Sequence, residues 1–168
     1  MKKVRAQARR DIPSEEKLKA FAEEHLAYEI IMLQFAKQEL SQVNHCQFKK
    51  SAFLECFTIH LRALIDFLWK QTDMRKDDAI ASDFFTSATL WEKIRPEMPL
   101  DLEPARSRTN KEIAHLTYAR MDVTSETKGW NFKKMTKAVL RVIKLFVDNA
   151  DRPQIGKLGE LLDRAFEE

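Results

Sequence analysis

Arg108 and His115 stand seven residues apart, two turns of a regular α-helix, and so project from one face with Glu112 between them. An arginine beside a histidine at this spacing suits phosphodiester chemistry. The imidazole can move a proton to or from a ribose hydroxyl or a leaving oxygen, while the guanidinium holds the phosphate and offsets the charge that develops on it. That route requires no metal. The same spacing also allows a plain ionic cluster in which Glu112 pairs with both neighbours. Glu112-Ile113-Ala114-His115 further reads as E-x-x-H, half of a di-iron or di-manganese site. Such a site needs a second E-x-x-H and two more inward glutamates. The sequence has no second copy, and Arg108 on the same face would repel a cation, so neither a metal nor another cofactor is expected. No serine or cysteine sits in a recognisable nucleophile turn, and no glycine-rich phosphate loop occurs.

A second polar group lies on the helix expected at about residues 45–71. Phe53, Leu54, Phe57, His60, Leu61, Leu64, Phe67 and Leu68 fill a broad apolar arc, and Ile59, Ile65 and Trp69 carry it further round. The narrow polar remainder holds Glu55, Arg62 and Asp66. A helix so apolar belongs at the centre of a bundle. Its carboxylates could face the Arg108/His115 helix and fix the histidine's tautomer. Alternatively, Arg62 could bridge Glu55 and Asp66 in a neutral seam, the reading favoured here. His60, inside the apolar arc, is expected to be a core histidine bonded to a neighbouring helix. His25 and His45 show no usable pattern.

Four further helices must position these groups. The first starts near Pro13, with Ser14 as cap and Glu15 and Glu16 in its first turn. It shows Leu18, Ala22, Leu26, Ile30, Leu33, Ala36 and Leu40 at three- and four-residue steps to about Val43. A helix from about Leu102 to Tyr118 carries Arg108 and His115. Another runs from Trp130 to Asn149, and a last one from about Gln154 to Phe166. Between Thr72 and Pro99 the pattern weakens into short turns, where Phe84, Phe85 and Trp91 read as a dimer contact or partner surface. The expected fold is therefore all-α: one bundle of about five helices over residues 11–168, preceded by a basic arm at residues 1–10.

Composition agrees with one domain. The chain has 168 residues, 44 % hydrophobic and 33 % charged, with three glycines and five prolines, too few for the frequent turns of a β-barrel or sandwich. Of its 29 basic residues five fall in the first ten positions, where no acid occurs; the rest holds 24 basic against 26 acidic residues. The net charge of +3 thus belongs to the arm, which could touch nucleic acid or an acidic partner but more simply reads as a solvated terminus. Cys46 and Cys56 match no disulfide framework or zinc spacing, which predicts a reduced, cytoplasmic chain. No apolar run approaches the roughly 20 residues that span a bilayer, and no membrane association is expected.

Arg108-Thr109-Asn110-Lys111-Glu112-Ile113-Ala114-His115 resembles the R-x(4–6)-H signature of HEPN-domain proteins. These are small all-α domains, usually dimeric, and many are metal-independent ribonucleases of toxin–antitoxin and phage-defence systems. The stretch from Glu55 to Leu68 resembles the core helix of HEPN-like proteins. The six-residue spacer stands at the long end of the family range, and Asn110 follows Arg108 by two positions where the family often places a polar residue directly after the arginine. The resemblance implies a homodimer with a composite cleft and Arg108 and His115 as catalytic pair. Asn110 would orient the phosphate or the histidine, RNA would be the substrate, and an antitoxin or other protein would be a partner. The alternative expectation is a catalytically silent helical dimer that binds a protein or nucleic acid.

Overall fold

A computed structural model of the chain describes residues 11–70, 74–114, 117–124 and 129–167. The basic arm at residues 1–10 lies outside the described residues. Among the described residues the chain forms seven helices and no strand, so the expectation of about five helices is too low.

Helix α1 is continuous over residues 15–40 but changes winding. It is α-helical over Glu15–Phe21, π-helical over Ala22–Leu26, and α-helical again over Ala27–Leu40. The cause is visible in its apolar spacing. Leu18, Ala22, Leu26 and Ile30 follow one another at steps of four, and a regular helix would rotate each by about 40° relative to the last. A wider π turn takes up that drift. All four residues are consequently buried on one side, as are Leu33 and Ala36 further on. Ser14 occupies the N-cap position, but its hydroxyl makes no capping bond.

Helix α2, Gln47–Trp69, packs along α1. Its arc from Phe57 to Trp69 is buried, whereas Phe53 and Leu54, nearer its start, are half-buried and Ile59 is exposed. Helix α3 is Ala88–Ile94 and α4 begins at Leu102–Arg108. Helix α4 does not continue regularly to Tyr118: it widens into a π turn, Thr109–Ala114, and a separate 3₁₀ turn spans Tyr118–Asp122. Helix α5, Phe132–Asn149, is capped by Asn131, whose side chain accepts the Lys134 amide. The expected last helix is two, α6 (Arg152–Ile155) and α7 (Leu158–Glu167), separated at Gly156. Gly156 has φ +53°, open only to glycine at that ψ, and a Cβ there would collide with Glu23 Oε1. Glu23 in turn accepts the Lys157 amide at 2.8 Å, fastening the π turn of α1 to the start of α7.

The stretch from the end of α2 through α3 differs from expectation. Phe84, Phe85 and Trp91 form no outer surface; they are buried around Phe146 of α5, with ring centroids 5.6, 6.0 and 5.8 Å from it. Phe84 and Phe85 lie at a tight 3₁₀ turn, Ala81–Phe84, and Trp91 on the two-turn α3, both too short for a helical period to announce the burial. The Asp151 amide donates to Phe84 O and Thr86 Oγ1 to Asp151 Oδ2, which clamps this segment over the end of α5. The indoles of Trp91 and Trp69 donate to Leu68 O and Pro96 O, so neither buried ring leaves its N–H unsatisfied.

Candidate functional site

Arg108 closes the α-helical part of α4, and its half-buried side chain reaches back to the segment before α5. Its guanidinium carbon lies 4.1 Å above the centroid of the Trp130 ring, and Nη1 donates to Gly129 O at 3.1 Å. This cation–π stack fixes the plane and direction of the guanidinium.

Trp130 also walls an open cleft of about 420 Å³, bounded by Ser51, Leu54 and Glu55 of α2, Ile113 of the π turn, and Arg120 and Val123 around the 3₁₀ turn. Backbone carbonyls position these parts. Arg120 Nη2 donates to Ile113 O at 3.0 Å, and Thr117 Oγ1 donates to Lys111 O at 2.7 Å. The 3₁₀ turn is thereby held against the π turn. At the turn's beginning, Thr109 is buried and its hydroxyl donates to Ala105 O, a bond that competes with the regular ladder as the helix widens. The widened winding means that the 100° period does not run from Arg108 to Ala114, so seven-residue spacing no longer dictates a shared face. His115 lies outside the described residues, as do the side chains of Asn110 and Glu112, whose backbone belongs to the π turn.

The polar stripe of α2 divides in two. Glu55 is exposed and lines the cleft. Asp66 accepts from Arg106 Nε at 2.5 Å, with Arg62 Nε 3.9 Å from its other oxygen. Among the described residues Glu55 has no ion-pair partner, so Arg62 does not bridge the two carboxylates. The partner of Asp66 is Arg106, two positions before Arg108, and the carboxylate therefore ties α2 to the Arg108 helix. His60 sits elsewhere, buried against α1, with Nδ1 2.8 Å from Glu29 Oε2 and its ring edge-on to Tyr28.

Three residues of this region carry no signal in the motif itself. Trp130 and Arg120 come from outside the R-x(6)-H stretch, and Arg106 lies just before it. Only a long-range contact places an indole under Arg108, although the local basic doublet Arg106/Arg108 marks the helix end. Among the described residues no three His, Cys, Asp or Glu side chains converge as a metal-ligand set. Burial, with the Glu29 carboxylate nearby, raises the Cys56 thiol above its ordinary value and makes it a poor nucleophile at neutral pH. No described helix is long and apolar enough to cross a membrane. Comparison with protein-family models, with curated proteins and with solved structures finds no match to this chain.

Proposed function

We propose that the protein is a HEPN-type, metal-independent endoribonuclease acting at the Trp130 cleft. The observation that carries this reading is the Arg108 guanidinium laid on Trp130 at the wall of an open cleft that Arg120 also lines. The Arg120 guanidinium at the cleft, with that of Arg108 behind the Trp130 wall, suits the non-bridging oxygens of a phosphodiester. The indole offers a flat face for a base, and stacking of this kind tolerates any sequence. Ile113, two residues before His115, lines the same cleft.

In the reaction the ribose 2′-oxygen attacks phosphorus as its proton leaves, and the bond from phosphorus to the 5′-oxygen breaks as that oxygen gains a proton. The products are a 2′,3′-cyclic phosphate and a 5′-hydroxyl, with no oxidant or reductant involved. His115 moves the proton at one of these oxygens. Arg108 and Arg120 neutralise the charge on the phosphoryl oxygens, and Asn110 orients the phosphate or the imidazole. In a toxin or phage-defence setting an antitoxin-like partner would cover the cleft. The test is incubation of a mixed RNA pool in EDTA with wild type and His115→Ala, reading the new ends chemically. Cyclic-phosphate ends formed by the wild type and lost in the variant, at unchanged helicity, support the reading; an intact pool with folded wild type overturns it.

A second reading, a silent dimerisation or binding module, is favoured by a different feature. Phe48 and Ile59 of α2 and Tyr28 and Phe35 of α1 expose apolar surface where these two helices meet. Sedimentation of wild type and Ile59→Asp tests this face, and RNA cleavage separates the two readings: a dimer converted to monomer, with the RNA pool left intact by both proteins, supports the silent module, and an unchanged state contradicts it.

A further inference from the structure

Outside the cleft, the most one-sided charge among the described residues runs along α5. Lys133, Lys137, Arg141 and Lys144 recur at steps of four, four and three, so they share one exposed face. At 1.5 Å per residue they form a row about 16 Å long with a cation every 4.5–6 Å or so. Lys37 of α1 faces them across a groove of about 810 Å³, whose remaining lining is Gln34, Ser41, Thr136 and Leu140. No carboxylate lines it. Among the described residues only Lys144 of these five cations is in an ion pair, with Asp148 one turn on, at the groove's end. Lys134, by contrast, points away and pairs with Asp101.

Five cations around one groove repel each other, and that arrangement is stabilised by a ligand carrying regularly repeated negative charge. The opposite face of α5 (Met135, Val139, Val142, Ile143 and Phe146) is buried in the core. The helix therefore has no apolar face to insert among lipids, which is what a membrane-surface helix needs. A single line of cations beside a concave polar wall fits a strand with one charge per unit. Lys133 also follows Trp130 by three residues, so the row begins within about 11 Å of the cleft wall along the chain.

We infer that the α1/α5 groove is a binding track for the phosphate backbone of single-stranded RNA, feeding the Trp130 cleft. The inference rests on the proposed ribonuclease reading for its choice of RNA, but binding at the track does not require cleavage. The track supplies sequence-independent affinity, whereas the cleft supplies chemistry.

The test uses the full chain carrying His115→Ala, EDTA, and a fluorescein-labelled 12-nucleotide oligouridylate read by anisotropy across a salt series. Each phosphate contact contributes roughly 0.7 to the slope of log affinity against log salt for single strands, so the five track cations contribute about −3.5 of the slope. Adding K133Q, K137Q and R141Q should reduce that slope by about 2 and weaken binding at least tenfold or so at low salt. Lys134→Gln should leave both unchanged. An unchanged slope in the triple variant overturns the track, as does displacement of the RNA by an equal concentration of polyglutamate, which would mark an acidic-protein surface. Salt-sensitive RNA binding without cleavage by the wild-type chain would sink the ribonuclease reading and leave the track standing. Cleavage undiminished by the three substitutions would sink the track and leave the ribonuclease.

Discussion

The two π turns among the described residues have the same backbone form and opposite surroundings. The first, Ala22–Leu26, is enclosed: Ala22 and Leu26 are buried in the core, and Glu23 fastens the turn to the start of α7. The second, Thr109–Ala114, rims an open cleft and is held by hydroxyl and guanidinium donors to backbone carbonyls, with an ion pair at Asp66–Arg106 nearby. A widened turn thus serves two ends here. In α1 it keeps an apolar face in register with the core. In α4 it moves side chains off the regular helical period beside a cleft. Core packing, with one carboxylate contact from Glu23, maintains the first, while polar contacts that water can weaken, and at Asp66–Arg106 salt as well, maintain the second.

The largest expected effect is that of Leu26→Ala. Truncating this buried side chain should cost about 2–5 kcal/mol in a denaturant titration, to the same extent at low and high salt. A loss under about 1 kcal/mol would mean that the first turn is not packed as described. Gly156→Ala comes next, at about 1–3 kcal/mol, because alanine is strained at the native φ and ψ and its Cβ would displace Glu23 from the Lys157 amide. Glu23→Gln in the Gly156→Ala background should then cost less than it does in the wild type, a coupling readable by a double-mutant cycle.

Asp66→Asn should cost about 1 kcal/mol or less, and the difference should shrink in 1 M salt. Salt-independence there would break the contrast between the two turns. Smallest of all is Ile113→Ala, on the half-buried rim of the cleft, expected within about 0.5 kcal/mol of wild type. If Ile113→Ala instead matched Leu26→Ala, the second turn would be a core element and not the edge of a site.

The contrast also explains what could be read from the chain. The steps of four from Leu18 to Ile30 and the arc from Phe57 to Leu68 are local apolar patterns, and the helices they predict are present. Phe84, Phe85 and Trp91 escaped because their burial depends on Phe146, some 60 residues away, and on a short 3₁₀ turn and a two-turn helix too brief to show an apolar period. The second π turn escaped for another reason: Thr109-Asn110-Lys111-Glu112 has no apolar period that could register a change of winding. Of the candidate site, the α4 placement of Arg108 was legible, since Arg108 falls within the helix expected from about Leu102. Its stack on Trp130 was not, since nothing local pairs two residues 22 apart. The basic row of α5 was legible in principle, as cations at steps of four, four and three on an otherwise amphipathic helix.

Arg106 and Arg108 give the most direct test of the central proposal, because they lie two residues apart with different partners, a carboxylate for one and an indole for the other. The measurement is the rate of RNA cleavage in EDTA by wild type, Arg106→Ala and Arg108→Ala, each checked for helicity. Cleavage should fall by about a hundredfold or more in Arg108→Ala, the size expected when a group that stabilises transition-state charge is removed. Arg106→Ala should remain within about threefold of wild type, since its loss touches only the Asp66 pair. Equal rates for all three proteins, or no cleavage by the folded wild type, would contradict the proposal.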